Sequence, residues 1–286
     1  MSKSLILSLL LVFSLEAKSF FSNKEQANNA VYINELKNLI ISTQKTRGLT
    51  NSYLNGNVNA LLLIELNKKK IKRAIGNLES FPISDSENIA SRVTTISQNI
   101  FKINRKAFEQ EADQTFKDYT YQIEEILMLS QSISKRGSSN LNKFGKDAIS
   151  LMMETILPLI EEIGKLRGMG SGVIAAEEIS KNKRLLIVSI LTEIDELNSE
   201  LNSKSLKLLS NHKSYYPFSL ESSLNQLNES IEDYILLTNK EVLNVSECET
   251  CNPTSYFENG TDIIDLLLNI FKVNKKAILT DSDGWF

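Results

Sequence analysis

Apolar residues recur at alternating intervals of three and four along much of the chain, and this pattern constrains the fold more than any other feature. It is clearest at Ile89, Val93, Ile96, Ile100, Ile103 and Ala107; at Ile187, Ile190, Ile194, Leu197 and Leu201; and at Leu220, Leu224, Leu227, Ile231 and Tyr234. Such a stripe covers one face of an α-helix and suits helix packing at a shallow angle. No convincing stretch alternates with the period of two that a half-buried strand shows. The sequence therefore predicts an all-α fold.

Turn-forming residues divide the chain into about eight helices. They cluster at 55–57, 81–86, 137–140, 214–218 and 247–253, where Gly, Pro, Asn and Ser are typical of loops. The predicted helices lie near 25–55, 58–79, 86–111, 114–136, 140–178, 181–211, 219–244 and 254–277. Eight helices with short loops fit two four-helix bundles or one elongated bundle.

Composition excludes several classes of function. The 286 residues carry a formal net charge of −3, so the chain lacks the basic surface of a nucleic-acid-binding protein. The single histidine, His212, lies in a loop-like stretch. No paired carboxylates, phosphate-binding loop, catalytic triad order or metal-ligand spacing is present. We therefore expect neither an enzyme nor a bound metal or cofactor.

The N-terminus predicts export. Lys3 precedes an apolar stretch from Ser4 to Leu15, and Leu15-Glu16-Ala17 is similar to a cleavage site. The stretch is shorter than the roughly 20 residues of a membrane-spanning helix. We predict a cleaved signal peptide at 1–17 and a periplasmic protein. The alternative is a retained membrane anchor.

Cys248 and Cys251 form a CxxC sequence, Cys-Glu-Thr-Cys, directly before Pro253. In an exported protein they can close a small disulfide ring that staples a loop. A redox-active pair is the alternative, although no thioredoxin-like strand pattern surrounds them. A zinc site is disfavoured because two thiols and one distant histidine do not supply four ligands.

Two arginines occupy similar settings. Arg47 is followed by Gly48, and Arg167 is followed by Gly168, 120 residues later. The second lies in a helix with Pro158, which should kink it, and with glycines at 164, 168, 170 and 172. Each interior glycine costs about 0.5–1 kcal/mol relative to alanine. Something is therefore expected to approach this backbone closely.

Small or polar residues lie three and four positions from each arginine, among them Thr50 and Ser171. Each guanidinium can thus lie in a polar pocket inside the protein, where a counter-charge is needed. One possibility is a carboxylate of the chain, such as Glu161 or Glu162 for Arg167. The other is an anionic ligand.

The order of four motifs resembles that of the nitrate- and nitrite-sensing domain family. The first motif is Gln44-Lys45-Thr46-Arg47-Gly48-Leu49-Thr50, and the second is Tyr119-Thr120-Tyr121-Gln122-Ile123. The third consists of Glu162, Gly164, Arg167, Gly168 and Gly170, and the fourth runs from Tyr256-Phe257 to Thr261-Asp262-Ile263-Ile264-Asp265-Leu266-Leu267. The resemblance covers roughly residues 29 to 271.

The resemblance implies two stacked up-and-down four-helix bundles over 18–277, followed by a short tail at 278–286. It also implies that nitrate or nitrite binds between Arg47 and Arg167, and we expect Thr50 and Ser171 to be second contacts. Thr46 and Leu166 depart from the family pattern, which often has an acidic residue directly before each arginine. These departures leave both arginines in place.

A sensor of this kind must pass its signal to another protein. We expect the periplasmic part of a membrane sensor kinase or receptor, and possible homodimerisation, with no nucleic acid involved. Trp285 and Phe286 at the end of the tail are candidates for docking, or they fold back onto the bundle. The alternative function is a helical scaffold of the cell envelope without a small ligand, in which both arginines pair with carboxylates.

Overall fold

The computed structural model describes residues 31–81, 87–137 and 142–283, without side-chain detail at 87, 136, 137 and 281–283. Its α-helices are α1 (31–54), α2 (Leu61–Glu79), α3 (Glu87–Lys106), α4 (Ala112–Gly137), α5 (Lys143–Ser150), α6 (Leu157–Ala176), α7 (Lys181–Asn211), α8 (Leu220–Glu241) and α9 (Pro253–Asp283). Within these ranges no residue lies in a strand, which confirms the all-α prediction. The predicted signal peptide at 1–17, Trp285 and Phe286 lie outside the described residues.

The helix predicted at 140–178 is built from three parts. A π-helical turn, Leu151–Ile156, joins α5 to α6, and Pro158 is the second residue of α6. Proline lacks an N–H and its ring clashes with the carbonyl four residues earlier. The π-helical turn directly precedes the proline and is wider than an α-helical turn. The chain can therefore accommodate the proline ring and continue as a helix.

Capping side chains fix several helix ends. Asn142 accepts a hydrogen bond from the Gly145 backbone N at the start of α5, and Ser180 accepts one from Lys183 at the start of α7. Asn252 accepts from Thr254 and Ser255 at the start of α9. These caps satisfy backbone N–H groups that have no partner within the helix.

The last helix is longer than predicted. We predicted an end near 277, whereas α9 continues to Asp283. Ala277 is fully buried, and Leu279 and Thr280 continue the helix with no glycine or proline before residue 284. The first six residues of the predicted tail are therefore helical.

The three apolar stripes identified from the sequence are buried throughout. Helix α6 is apolar on almost all sides and is buried over most of its length, as expected for a central helix. It contacts α7 and α9, and α8 contacts both of these, so the four helices close a ring. Helices α2, α3 and α4 contact one another in sequence order. The stacking of two separate bundles stays a prediction.

Candidate anion-binding site

Helices α1 and α6 cross at Gly48 and Gly168. A Cβ atom on Gly168 would lie 2.9 Å from Cα of Gly48, and one on Gly48 would lie 3.2 Å from Cα of Gly168. Real Cβ atoms essentially never come as close to backbone as 2.9 Å, and 3.2 Å is tighter than most real contacts, so glycine is required on α6 and strongly favoured on α1. The close approach expected for the glycine-rich segment is thus made by α1.

Polar side chains of α1 cover other glycines of α6. Gln44 lies against Gly164, and Asn51 lies against Gly172. Asn51 also donates a hydrogen bond of 2.8 Å to the carbonyl oxygen of Gly168. The missing side chains on α6 therefore leave room for amides that hold the two helices together.

Arg47 is fully buried and already has a counter-charge. Its Nη1 lies 2.5 Å from Oε1 of Glu161 on α6 and donates a bond of 2.8 Å to Oγ1 of Thr120 on α4. Gln44 donates to the other Glu161 oxygen. The guanidinium also lies over the ring of Phe116, with Cζ 4.7 Å from the centroid. For Arg47, pairing with a carboxylate is what the structure shows.

Arg167 is equally buried but has no such partner. Its Nη1 donates a bond of 2.9 Å to Oγ1 of Thr261, and its Cζ lies 4.4 Å from the ring centroid of Phe257. In the described part of the chain, no carboxylate oxygen lies within 4.0 Å of the guanidinium. Its Nε and Nη2 are buried, and no hydrogen-bond partner for either atom is found among the residues that the structure describes. These two atoms form one edge of the guanidinium plane, the fork that binds carboxylates and similar anions side-on.

The electrostatics of Arg167 reflect this uncompensated burial. Burial is the main reason that the pKa of Arg167 falls to about 10, and the positive charge of Arg47 acts in the same direction, against the opposing effect of Glu161 and Asp265. The group therefore stays charged at neutral pH, close enough to Arg47 for the two cations to repel. A bound anion would relieve both unfavourable effects.

The two arginines make the same kinds of contact, each with one phenylalanine ring and one threonine hydroxyl. Arg47 lies over Phe116 and bonds Thr120; Arg167 lies over Phe257 and bonds Thr261. Each ring also fills the space beside the glycine of the other helix, Phe116 at Gly168 and Phe257 at Gly48. In both α4 and α9 the phenylalanine precedes the threonine by four residues.

Glu161 breaks this repeat. Glu161 lies six residues before Arg167 on α6, and its carboxylate pairs with Arg47 on α1. The equivalent position on α1, six residues before Arg47, is Ile41, which is uncharged and cannot pair with Arg167. The alternative in which Glu161 or Glu162 pairs with Arg167 is not what the structure shows. Glu161 pairs with Arg47, and Glu162 lies 2.7 Å from Nζ of Lys165. The half of the site around Arg167 is thus the half without an anion of its own.

The predicted second contacts lie close to the helix crossing. Ser171 is buried and donates to Oγ of Ser52 at 3.1 Å, and Thr50 is buried beside the phenol of Tyr119. Neither hydroxyl bonds an arginine. Their role as ligands stays a prediction.

Sequence reasoning missed Glu161 as the partner of Arg47, and it assigned no role to Phe116, Thr120, Phe257 or Thr261. Three of these four lay in the quoted motifs, at Thr120, Phe257 and Thr261. The repeated Phe-x-x-x-Thr spacing, at 116–120 and 257–261, is the signal that could have identified them.

Gly260 lets α9 approach Arg167. A Cβ atom on Gly260 would lie 2.9 Å from Cβ of Arg167 and 2.7 Å from the hydroxyl of Tyr234. Tyr234 donates to the carbonyl of Tyr256, and burial raises its pKa well above the usual value. Neutral aromatic groups therefore surround the free cation on this side.

Other predicted groups lie away from the arginines. Cys248 and Cys251 are a close pair with Cα atoms 5.7 Å apart, a separation that a disulfide spans. His212 lies against the rings of Phe144 and Tyr215. Among the residues that the structure describes, no cluster of His, Cys, Asp and Glu could hold a metal ion. Every helix in the same residues is too short or too polar to cross a bilayer.

Comparison with known proteins extends this picture. Residues 38–276 match the family model for nitrate and nitrite sensing. The fold is similar to that of the NasR transcription antiterminator, with a TM-score of 0.65 and 11% identity over 97% of this chain and 75% of that chain. At this identity the likeness shows the fold alone. No protein with a curated description matches the sequence significantly. Because the family model covers most of the chain, which confirms the resemblance seen in its motifs, the protein belongs to the nitrate- and nitrite-sensing family.

Proposed function

We propose that the protein binds nitrate or nitrite at Arg167, along the Nε/Nη2 edge of its guanidinium. The observation that carries the proposal is the Nε/Nη2 edge of Arg167, which is buried and unpartnered. Leaving a buried charge without partners is costly for a folded protein. An anion that accepts from this edge supplies what the chain does not.

The chemistry of the edge suits a small planar oxyanion. Nitrate and nitrite carry one negative charge, accept hydrogen bonds and donate none. Two of their oxygens can accept parallel bonds from Nε–H and Nη2–H. The face of the guanidinium against Phe257 is already covered, so the ligand lies in the guanidinium plane and not above it.

Binding can be coupled to a change in helix packing. The charge of Arg47 on α1 opposes that of Arg167 on α6, and the carboxylate of Glu161 offsets only part of this repulsion, while the Gly48–Gly168 crossing holds the same two helices in contact. An anion near both cations favours the closely packed arrangement. The size of this effect is set by the difference in anion affinity between the two arrangements.

Thermal unfolding and calorimetric titration test the proposal. Purified protein is measured with nitrate, nitrite, chloride and sulfate, as wild type and as Arg167→Lys, which keeps the charge but lacks the fork. We expect saturable stabilisation of the wild type by nitrate or nitrite and a much weaker response in the variant. Equal responses to all four anions, or an unchanged variant, would overturn the assignment.

We further propose that the protein acts in the periplasm and relays binding to a membrane sensor kinase or receptor. The proposal rests on the apolar N-terminal stretch and on the family. Cell fractionation of the full chain, together with crosslinking to membrane proteins with and without nitrate, tests it. Recovery of the protein from the cytoplasm with its N-terminus intact would contradict the export step.

A scaffold function without a ligand is the second candidate, because Arg47 is already neutralised by Glu161. A scaffold does not account for the free edge of Arg167. Under this alternative, no anion stabilises the protein beyond a general salt effect.

A further inference from the structure

A cavity of about 320 Å³ lies between α1, α2 and α9. At roughly 30 Å³ per water molecule it has room for about ten waters, so a small anion fits with part of its hydration shell. Its wall includes Phe257 and Thr261, the two residues that contact the guanidinium of Arg167. Arg167 itself is only 1% exposed. The cavity wall therefore includes the two residues that contact Arg167, but not Arg167 itself.

A related cavity of about 440 Å³ lies beside the other half of the repeat, where Phe116 and Thr120 form part of the wall. Each cavity contains a lysine two residues before an arginine, Lys45 in the first and Lys165 in the second. The two cavities thus have similar positions relative to the two arginines, and the charged residues that line them can be compared directly.

The two lysines differ in their partners. Nζ of Lys165 lies 2.7 Å from Glu162 and 4.0 Å from Glu124. Lys45 is half-buried and, among the described residues, has no carboxylate within 4.0 Å. Burial and then the charge of Arg167 lower the pKa of Lys45. Within the described residues, Lys45 is therefore a cation without an ion-pair partner, close enough to Arg167 for the two charges to interact.

The remaining charges support the same contrast. The cavity at Lys45 also contains Lys70, Glu258 and Asp262, so its lining charges balance. In the cavity at Lys165, three carboxylates from Glu124, Glu162 and Glu193 outnumber the two lysines, Lys117 and Lys165. The lining of the second cavity thus carries one net negative charge, which disfavours an anion there, whereas the lining of the first carries none.

We infer that the cavity between α1, α2 and α9 is the entry route and outer binding station for the anion, with Lys45 as its first contact before Thr261 and Arg167. The ligand class is a small inorganic oxyanion with a single charge. This inference rests on the proposed binding of nitrate or nitrite at Arg167. It adds the direction of approach and a residue that sets the rate of binding.

Rapid-mixing kinetics test the inference. Nitrate is mixed with wild type, Lys45→Gln, Lys45→Arg and Lys165→Gln, and binding is followed by intrinsic fluorescence at low and high ionic strength. We expect Lys45→Gln to lower the association rate constant about 3- to 10-fold at low ionic strength, because a local field raises such rates. The dissociation rate constant should stay within twofold of the wild type. Lys45→Arg should restore the rate, and Lys165→Gln should leave it unchanged.

The outcomes separate this inference from the proposed function. A wild type that binds neither nitrate nor nitrite in the calorimetric titration refutes binding itself. A wild type that binds, with Lys45→Gln and Lys165→Gln showing equal association rates, refutes the entry route alone. A Lys45→Gln variant that changes only the dissociation rate would make Lys45 a ligand of the final complex, which also overturns the inference. Equal thermal midpoints without nitrate show that the variants are folded.

Discussion

The carboxylate of Glu161 and the guanidinium of Arg47 form a buried ion pair that joins α6 to α1, with Oε1 2.5 Å from Nη1. Six residues further along α6, Arg167 is buried to a similar extent, and no carboxylate of the described residues pairs with it. Among the residues that the structure describes, one arginine of the pair thus has a carboxylate partner in the chain and the other has none. Each of the first three predictions separates these two roles.

Arg47→Met should destabilise the protein by about 3–5 kcal/mol, because it leaves the carboxylate of Glu161 buried without its partner. The double variant Arg47→Met, Glu161→Leu should recover most of this loss, since it removes both charges. Denaturant unfolding of wild type, both single variants and the double variant measures the coupling. Additive losses in the double variant would contradict a direct ion pair.

Arg167→Met should stabilise the protein in the absence of anions, which is the opposite of the effect expected for Arg47→Met. Burial is the largest cause that lowers the pKa of Arg167, to about 10, so keeping its charge in the folded protein at neutral pH costs on the order of 3 kcal/mol. Replacing the charge by an apolar side chain of similar length removes that term. We expect the variant to unfold at a higher temperature than wild type in anion-free buffer and to gain nothing from nitrate.

The matched control for Arg167→Met is Arg47→Met, which carries the same substitution on the other helix. Both are measured with and without nitrate. A fall in stability of Arg167→Met equal to that of Arg47→Met would show that Arg167 has a partner in the chain and is not a free cation.

Glu161→Gln should create a second position for an anion. The substitution removes the carboxylate that occupies the Arg47 half of the repeat and leaves the Phe116 and Thr120 contacts to that arginine in place. We expect lower stability without anions and a larger nitrate-dependent stabilisation than in the wild type. Calorimetry gives the number of nitrate ions bound per protein molecule. A variant that binds no more nitrate than wild type would contradict the idea that the two arginines form equivalent halves of the site.

Helix positions could be predicted from the sequence because each helix carries its own apolar period. The stripes that include Ile100, Ile194 and Leu227 are buried as predicted. The ends were less certain where no glycine or proline marks them. Helix α9 continues to Asp283 because residues 278–283 are compatible with a helix.

The importance of Arg47 and Arg167 could also be predicted, from their shared Arg-Gly context. Their different partners could not. Glu161 and Glu162 are adjacent, and on a helix they point in directions about 100° apart, so a one-residue choice decides which arginine is neutralised. Only the orientation of α1 across α6, set by Gly48 and Gly168, brings Glu161 to Arg47.

Cys248 and Cys251 should be joined by a disulfide in protein from an oxidising compartment. Their Cα separation of 5.7 Å is that of bonded cysteines. The ring they close is short, so its chain-entropy contribution is at the low end of the usual range. Intact mass before and after reduction checks the bond, and the Cys248→Ser, Cys251→Ser variant should keep nitrate binding. Loss of nitrate binding in that variant would point instead to a functional role for the pair.

Gly168→Ala should weaken the helix crossing and the anion response together. The added Cβ would lie 2.9 Å from Cα of Gly48 and 3.0 Å from the ring of Phe116, and a backbone atom cannot move aside without displacing α1. Overpacking of this kind costs about 1–3 kcal/mol.

Gly76→Ala on α2 is the matched control, because nothing lies within 4 Å of its added methyl group. That variant should gain roughly 0.5–1 kcal/mol from helix propensity. Chemical unfolding with and without nitrate distinguishes the two, and equal effects of the alanines would show that α1 and α6 do not depend on the glycine contact.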